Sequence, residues 1–260
     1  MHSDIASSLV EQKAENYILS PKTGYVPKGP KPPKVVVAIP CFNEERFVGR
    51  VVTEAKKLVG QVIVVDDGSS DDTAKVAEAA GALVVRHSTN RGVGAATRTC
   101  FEAAKANGAD VVVTMDGDLQ HEPNEILTIA EPVINGDAHL VIGSRFMNTD
   151  VKIPAYRRFG ISVITYLYNV GSMFKITDAQ SCFRAHSRQF LDSFDITLNG
   201  FGFSVEVLIE ARAKGFSIKE VPTSCIYHTE AHTSNAVTHG LGVVWDVIKL
   251  RSKSRRYNSV

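Results

Sequence analysis

The chain has 260 residues, 44% of them hydrophobic and 22% charged, a length that supports a sizeable core without disulfides and a composition that excludes a disordered or fibrous protein. Its 29 Lys and Arg nearly balance 28 Asp and Glu, which argues against a protein that grips nucleic acid through a broad basic surface. Cys41, Cys100, Cys182 and Cys225 show no CxxC spacing and read as buried thiols of a reducing compartment, not as a disulfide framework or zinc site.

Residues 1–34 form a preface. They lack an apolar leader, so no secretory signal is expected. Weak helical patterning over residues 4–17 precedes Pro21, Pro27, Pro30, Pro32 and Pro33, half of the ten prolines. The segment reads equally as a semi-rigid polyproline arm or as a disordered tail. The main domain is expected over 35–230. It opens with a β-branched run at 35–39 that lacks polar alternation, as in a strand buried on both faces. A helix is predicted over 44–59 and a second buried strand over 62–65. Asp66-Asp67-Gly68-Ser69-Ser70 then supplies turn chemistry, and Asp71 or Asp72 can cap a helix over 73–80. A strand at 82–86, an alanine-rich helix at 94–107 and a strand at 111–115 follow. A helix at 126–134 and a strand at 140–143 complete an alternation that implies a mostly parallel sheet.

Beyond Arg145 the texture changes. Residues 156–176 are aromatic and apolar with few charges; Tyr156, Phe159, Tyr166, Tyr168 and Phe174 read equally as core or as a lipid-facing surface rimmed by Arg157, Arg158 and Lys175. A helix at 203–214, short strands at 218–221 and 224–227, and a helix at 242–250 carrying Trp245 are predicted. Residues 231–260 form a C-terminal segment whose end holds Lys249, Arg251, Lys253, Arg255 and Arg256. These cations suit either anionic head groups or a solvated helix end. No run of about 18 apolar residues is present, so no membrane-spanning helix is expected.

In a parallel α/β sheet, ligands bind beyond the carboxyl ends of the strands. Three strand ends here carry polar groups: Pro40 to Glu45, Asp66 to Ser69, and Asp116-Gly117-Asp118-Leu119-Gln120. Acids gathered at one sheet edge repel unless a cation lies among them, and a hard divalent ion bridges carboxylates to substrate phosphates. Asp116 and Asp118 share a side in an extended segment, with a Gly between them that admits close backbone approach.

Further stretches complete the pattern: Asn90-Arg91-Gly92-Val93-Gly94, Met115 to Pro123, Gly143-Ser144-Arg145-Phe146, Thr177 to Arg184, and Lys219-Glu220-Val221-Pro222. Taken together, and in order, they resemble the inverting family 2 glycosyltransferases of the GT-A fold, within the dolichyl-phosphate mannose synthase group. The resemblance covers roughly residues 35–225, and Ser234 to Gly240 is similar to archaeal members. It implies an α/β GT-A fold with a mostly parallel sheet, peripheral interfacial helices, a nucleotide-sugar donor, a dolichyl or other polyprenyl phosphate acceptor, and Mg2+ or Mn2+. It implies that Pro40, Asn43, Glu44, Asp66 or Asp67, and Asp116 hold the nucleotide sugar. Asp116, Asp118 and Gln120 match the metal and diphosphate site. Arg145, Arg158, Ser162 and Arg184 match acceptor-phosphate positions, with Asp118, Arg145 and Arg158 expected to carry the reaction. A peripheral location on the cytoplasmic face of a membrane follows. GDP-mannose, UDP-glucose and UDP-N-acetylglucosamine all remain open as donors.

The chain departs from that pattern in places. Val93 stands where Lys is common, Cys182 where Gly is usual, and Asn235 follows Ser234 where Lys is expected; His228, His232 and His239 are either substitute phosphate donors or loop histidines. Two other readings stay open. A hydroxyl acceptor would call for a base, with Glu206 in the corresponding region, although Glu206 also suits a pocket-lining or structural acid. A non-catalytic nucleotide-sugar-binding partner is the other. A dinucleotide fingerprint at Arg91–Ala96 is disfavoured because the third Gly is missing and the motif follows the third strand.

Overall fold

A computed structural model describes residues 32–148, 150–172, 174–226 and 242–250. The strands are β1 (Val35–Cys41), β2 (Gln61–Asp66), β3 (Leu83–Arg86), β4 (Val111–Thr114), β5 (Leu140–Ser144), β6 (Arg184–Ser187) and β7 (Ile218–Pro222). The helices are α1 (Val48–Lys56), α2 (Thr73–Ala79), α3 (Val93–Ala106), α4 (Ile126–Ile134), α5 (Ala155–Asn169), α6 (Arg188–Leu191) and α7 (Phe203–Ala213), followed by a helix over residues 242–250.

The strands form one seven-stranded sheet in the order β3-β2-β1-β4-β6-β5-β7. Its pairings are parallel except around β6, which runs antiparallel between β4 and β5. This is the GT-A-like α/β architecture with a mostly parallel sheet that the motifs implied. The inserted β6 was not expected: Arg-Ala-His-Ser is short and polar, and only its neighbours make it a strand. Its register sets Arg184 beside Thr114 and Ile142, near the carboxyl ends of β4 and β5.

Side-chain alternation divides the core. Val37 and Ile39 of β1 face the layer of α1 and α4, whereas Val36 and Ala38 face α3, α5 and α7. Val243 and Val247 of the 242–250 helix are buried in that second layer, so this part of the C-terminal segment belongs to the common core.

Several boundaries differ from expectation, two of them for reasons the hydrogen bonds show. The first helix starts at Val48, not at 44, because the preceding amides bond across to the β2–α2 loop: Glu44 N–H donates to Thr73 Oγ1 at 2.7 Å and Glu45 N–H to Asp71 Oδ2 at 3.2 Å. Residues 224–226 are not a strand. Ser224 N–H donates to the Glu125 carboxylate at 3.0 Å instead of to a ladder partner. Tyr227 lies outside the described residues, as do the arm at 1–31, His228, His232, Ser234, Asn235, His239 and the basic cluster after Leu250.

Candidate active site

The site is built at the carboxyl ends of β1, β4 and β5. Pro40 and Cys41 end β1, and Asn43 follows in the left-handed region at φ 58°. The Asn43 amide donates to Ser69 Oγ at 2.9 Å and its side-chain oxygen accepts from Ser70 N–H at 2.9 Å, so the β1 loop is laced to the β2 loop. Such mutual bonds hold a turn that Asn tolerates better than most residues.

Asp66 and Asp67, one of which is expected to contact the nucleotide, both have partners within the protein. Both are buried. Asp66 Oδ1 accepts from Ser69 N–H at 2.9 Å, and its Oδ2 lies 3.0 Å from Arg86 Nε. Asp67 accepts from the amides of Arg91 and Gly92 at 3.0 and 2.8 Å, and its Oδ1 lies 2.6 Å from His87 Nδ1. Asp67 shapes the wall by tying the β2 turn to the loop before α3, whereas Asp66 Oδ2 is buried with the Arg86 ion pair and no hydrogen bond. At the start of that helix Gly94 approaches so closely that an added Cβ would sit 2.1 Å from the Leu198 carbonyl oxygen. The glycines around Arg91 serve this packing.

Beyond β4, Asp116, Gly117 and Asp118 face the β1 loop. Gly117 is required there, since a Cβ would lie 2.5 Å from Cys41 Sγ. Asp118 Oδ1 accepts from Gln120 N–H at 2.9 Å, closing a turn with Leu119 at φ 60°. Gln120 in turn accepts from Ile226 N–H at 2.9 Å through its carbonyl. Asp116 Oδ2 lies 3.5 Å from Nε2 of the buried His121. Burial, and then Asp116, push the Asp118 carboxyl up to about 6. Burial, then Asp118 and Asp116, push Glu44 up to about 7. These acids are close enough to oppose one another's ionisation.

Among the described residues no three His, Cys, Asp or Glu side chains form a preassembled metal cage. The donor chemistry nevertheless fits a hard divalent cation. Asp116 and Asp118 offer oxygens, and ions of this type commonly take one or two protein carboxylates with substrate phosphates and water completing the shell.

At β5, Arg145 is held by Asp178. Its Nε and Nη2 donate to the two carboxylate oxygens at 2.7 and 2.8 Å. Burial raises the Asp178 carboxyl, but the Arg145 guanidinium outweighs this and holds it below its ordinary range. Asp178 is placed by Glu220 of β7, which accepts from Thr177 N–H at 2.7 Å, Thr177 Oγ1 at 3.1 Å and Asp178 N–H at 3.0 Å. In the sequence Glu220 is only a charge within the Lys219–Pro222 stretch at a strand end, and its partners lie 42 and 43 residues away. Arg158 and Ser162 are exposed on α5, one turn apart, and the Arg158 guanidinium lies 5.8 Å from the Phe146 ring centre.

Arg184 is expected at the acceptor phosphate, and its Nε is buried without a hydrogen-bond partner. It is buried, and its two terminal nitrogens donate to the carbonyls of Ser204 and Ala179 at 2.7 and 2.9 Å. It braces α7 against the Asp178 loop. A cavity of about 10 Å³, room for a single water, brings Arg184 together with Pro40, Asp116 and Cys182. Glu206 is also buried; it accepts from the amides of Thr197 and Leu198 at 3.1 and 3.0 Å and from the Thr197 hydroxyl.

The fold, with acids at the β4 end, a laced β1–β2 wall and an anchored arginine at β5, defines a GT-A-like nucleotide-sugar transferase. A family model, Glycosyl transferase family 2, matches residues 36–194, and the chain belongs to that family. A UDP-N-acetylglucosamine--dolichyl-phosphate N-acetylglucosaminyltransferase of Methanococcus voltae is 32% identical, across 74% of this chain and 86% of that one. A polyprenol monophosphomannose synthase of Mycolicibacterium smegmatis is 32% identical, across 73% and 76%. Among solved structures, glucosyl-3-phosphoglycerate synthase from Mycobacterium tuberculosis, in complex with Mn2+, uridine-diphosphate and phosphoglyceric acid, shares the fold. Its TM-score is 0.64 at 22% identity, with 84% of this chain and 78% of that one covered.

Proposed function

We propose that this protein transfers a hexose from a nucleotide-diphosphate sugar to dolichyl or another polyprenyl phosphate, with inversion at the anomeric carbon. The engagement of Glu206 carries the choice of acceptor. A hydroxyl nucleophile needs its proton removed, and the acid weighed for that task is spent on Thr197 and Leu198. A phosphate monoester is already an anion at neutral pH and needs positioning instead. The relatives named for dolichyl-phosphate and polyprenol transfer support the same acceptor class.

In this reading a phosphate oxygen bonds to the anomeric carbon while the carbon–oxygen bond to the diphosphate breaks, and the bonding pair leaves with the diphosphate. Arg145, oriented by Asp178, and Arg158 hold and screen the attacking phosphate; Ser162 stands one turn from Arg158. Pro40, Asn43 and Glu44 line the donor. Asp116 and Asp118, with Gln120 shaping their turn, would hold the divalent cation, which when bound supplies positive charge to the departing diphosphate. The activity requires the protein to meet a membrane surface from its own side, at its cytoplasmic face.

A donor-by-acceptor assay tests the proposal. Full-length protein is incubated with GDP-mannose, UDP-glucose or UDP-N-acetylglucosamine, with and without polyprenyl phosphate, in Mn2+ or chelator. Sugar recovered in the organic phase from one donor, and lost with chelator, is the expected result. Donor binding with no lipid product under any condition would move the assignment to a hydroxyl acceptor, and binding with neither transfer nor hydrolysis would favour the non-catalytic partner.

A further inference from the structure

His121 is packed into the protein directly behind the acidic loop. It is 3% exposed, and its ring lies against the fully buried Phe183, with centres 5.1 Å apart and planes inclined by 38°. The main chain on either side is tied down. Gln120 C=O accepts from Ile226 N–H at 2.9 Å, and Glu122 C=O accepts from Glu125 N–H at 3.0 Å. An imidazole held in this way has little room to turn.

Its two nitrogens have unequal surroundings. Nε2 lies 3.5 Å from Asp116 Oδ2, whereas Nδ1 is buried with no hydrogen-bond partner. A carboxylate only accepts, so the nitrogen that faces it carries a hydrogen. A buried polar atom without a partner costs free energy that a hydrocarbon ring of similar shape would not. Packing against Phe183 is thus no reason for a histidine at this place, and the contact of Nε2 with Asp116 is one.

Asp116 needs such a tether. Among the described residues its carboxylate accepts no hydrogen bond, whereas Asp118 Oδ1 accepts one from Gln120 N–H at 2.9 Å. A cavity of about 140 Å³, lined by Arg50, Leu119, His121 and Glu122 among others, borders the loop, so packing leaves it room to shift.

We infer that His121 is a positioning residue that holds the Asp116 carboxylate in the orientation that accepts the divalent cation. The inference rests on the assignment of that cation to Asp116 and Asp118 above and deepens it. Side chains that orient a metal-binding group from behind are worth about 10- to 100-fold in metal affinity.

Mn2+ binding to the full-length protein, read from the electron paramagnetic resonance of the free ion with UDP or GDP present, tests this without any transfer. His121→Phe keeps a ring against Phe183 and removes both nitrogens. Its unfolding midpoint in chelator should stay near that of wild type while its Kd for Mn2+ rises about 10- to 100-fold. His121→Gln, whose amide nitrogen reaches the place of Nε2, should recover most of that loss. A merely structural role gives the opposite order, with Phe at wild-type affinity and Gln, the poorer packer, below it.

Equal Mn2+ affinity in wild type and His121→Phe would overturn the inference, as would an equal loss in the Phe and Gln variants. If His121→Phe does not fold, His121→Leu takes its place in the same comparison. No Mn2+ binding by wild type would remove the metal assignment and this inference with it. The expected order of affinities without transfer to polyprenyl phosphate would leave His121 in its role and remove only the acceptor reading.

Discussion

Asp178 holds Arg145 through two parallel bonds, Oδ2 to Nε at 2.7 Å and Oδ1 to Nη2 at 2.8 Å, between residues 33 apart in the chain. A bidentate pair fixes the plane of the guanidinium as well as its place. Asp178→Asn keeps the size and removes the charge. It should cost about 3 kcal/mol in stability, as expected when one partner of a buried pair is lost. It should also slow transfer about 100-fold through misplacement of Arg145. Urea unfolding and acceptor kinetics check the two effects; normal kinetics in a folded variant would show that Arg145 does not act on the acceptor.

Glu220 acts one step further back, as a positioning residue for the Thr177–Asp178 turn. Glu220→Ala should raise the acceptor KM while donor affinity stays near wild type. Glu220→Gln, which keeps some acceptor capacity toward Thr177 and Asp178, should recover part of the loss. A variant that weakens donor and acceptor equally would indicate general loosening of the fold instead.

Gly117 and Cys41 meet across the floor of the acidic loop, where an added methyl would sit 2.5 Å from the sulfur. Gly117→Ala should destabilise by about 1–3 kcal/mol, the usual range for overpacking, and weaken donor binding by displacing Asp116 and Asp118. Cys41→Ala removes the clashing atom. The double variant should therefore be more stable than the sum of the two single effects, and a double-mutant cycle reads this coupling.

Asp118 and Glu44 give the metal-free protein a pH signature. Their folded-state carboxyls are raised to about 6 and about 7. Unfolded Asp and Glu ionise near 3.9 and 4.3, so between about pH 4 and 7 the native state holds more protons than the unfolded one. The linked stability is present below the unfolded values and is lost as pH rises through 6 and 7. With chelator, the thermal midpoint should fall across that window, and Asp118→Asn should flatten the fall. Added Mn2+ should raise the midpoint most at the alkaline end, where the carboxylates are ionised. Asp118→Asn should also abolish transfer in a folded protein.

Glu206 separates the two acceptor classes. Glu206→Gln keeps the shape but weakens acceptance from Thr197 and Leu198, so stability should fall by about 1–3 kcal/mol for the unsatisfied donors. The pH profile of transfer should stay as in wild type. Loss of an alkaline-rising limb in the variant would mark Glu206 as the base of a hydroxyl-directed enzyme.

Local sequence carried much of this protein. β-branched runs ending in Pro40, Asp66 and Asp116 specify buried parallel strands, because such runs lack the polar alternation of a half-solvated sheet. Carboxylates grouped at strand ends mark the candidate site, because ligands of parallel sheets gather there. What the chain could not show locally is which polar groups face the ligand and which face the protein. Asp67 and Asp116 look alike as residues at strand ends, yet one is buried against His87, Arg91 and Gly92 while the other is open beside His121. Arg184, Glu206 and Glu220 find partners that are set by register and packing. The bonds of Arg184 and Glu220 exist only once β6 and β7 have joined the sheet, and those of Glu206 once the loop before its helix has folded back on it, since a buried charge takes whatever donors or acceptors the completed fold leaves within reach.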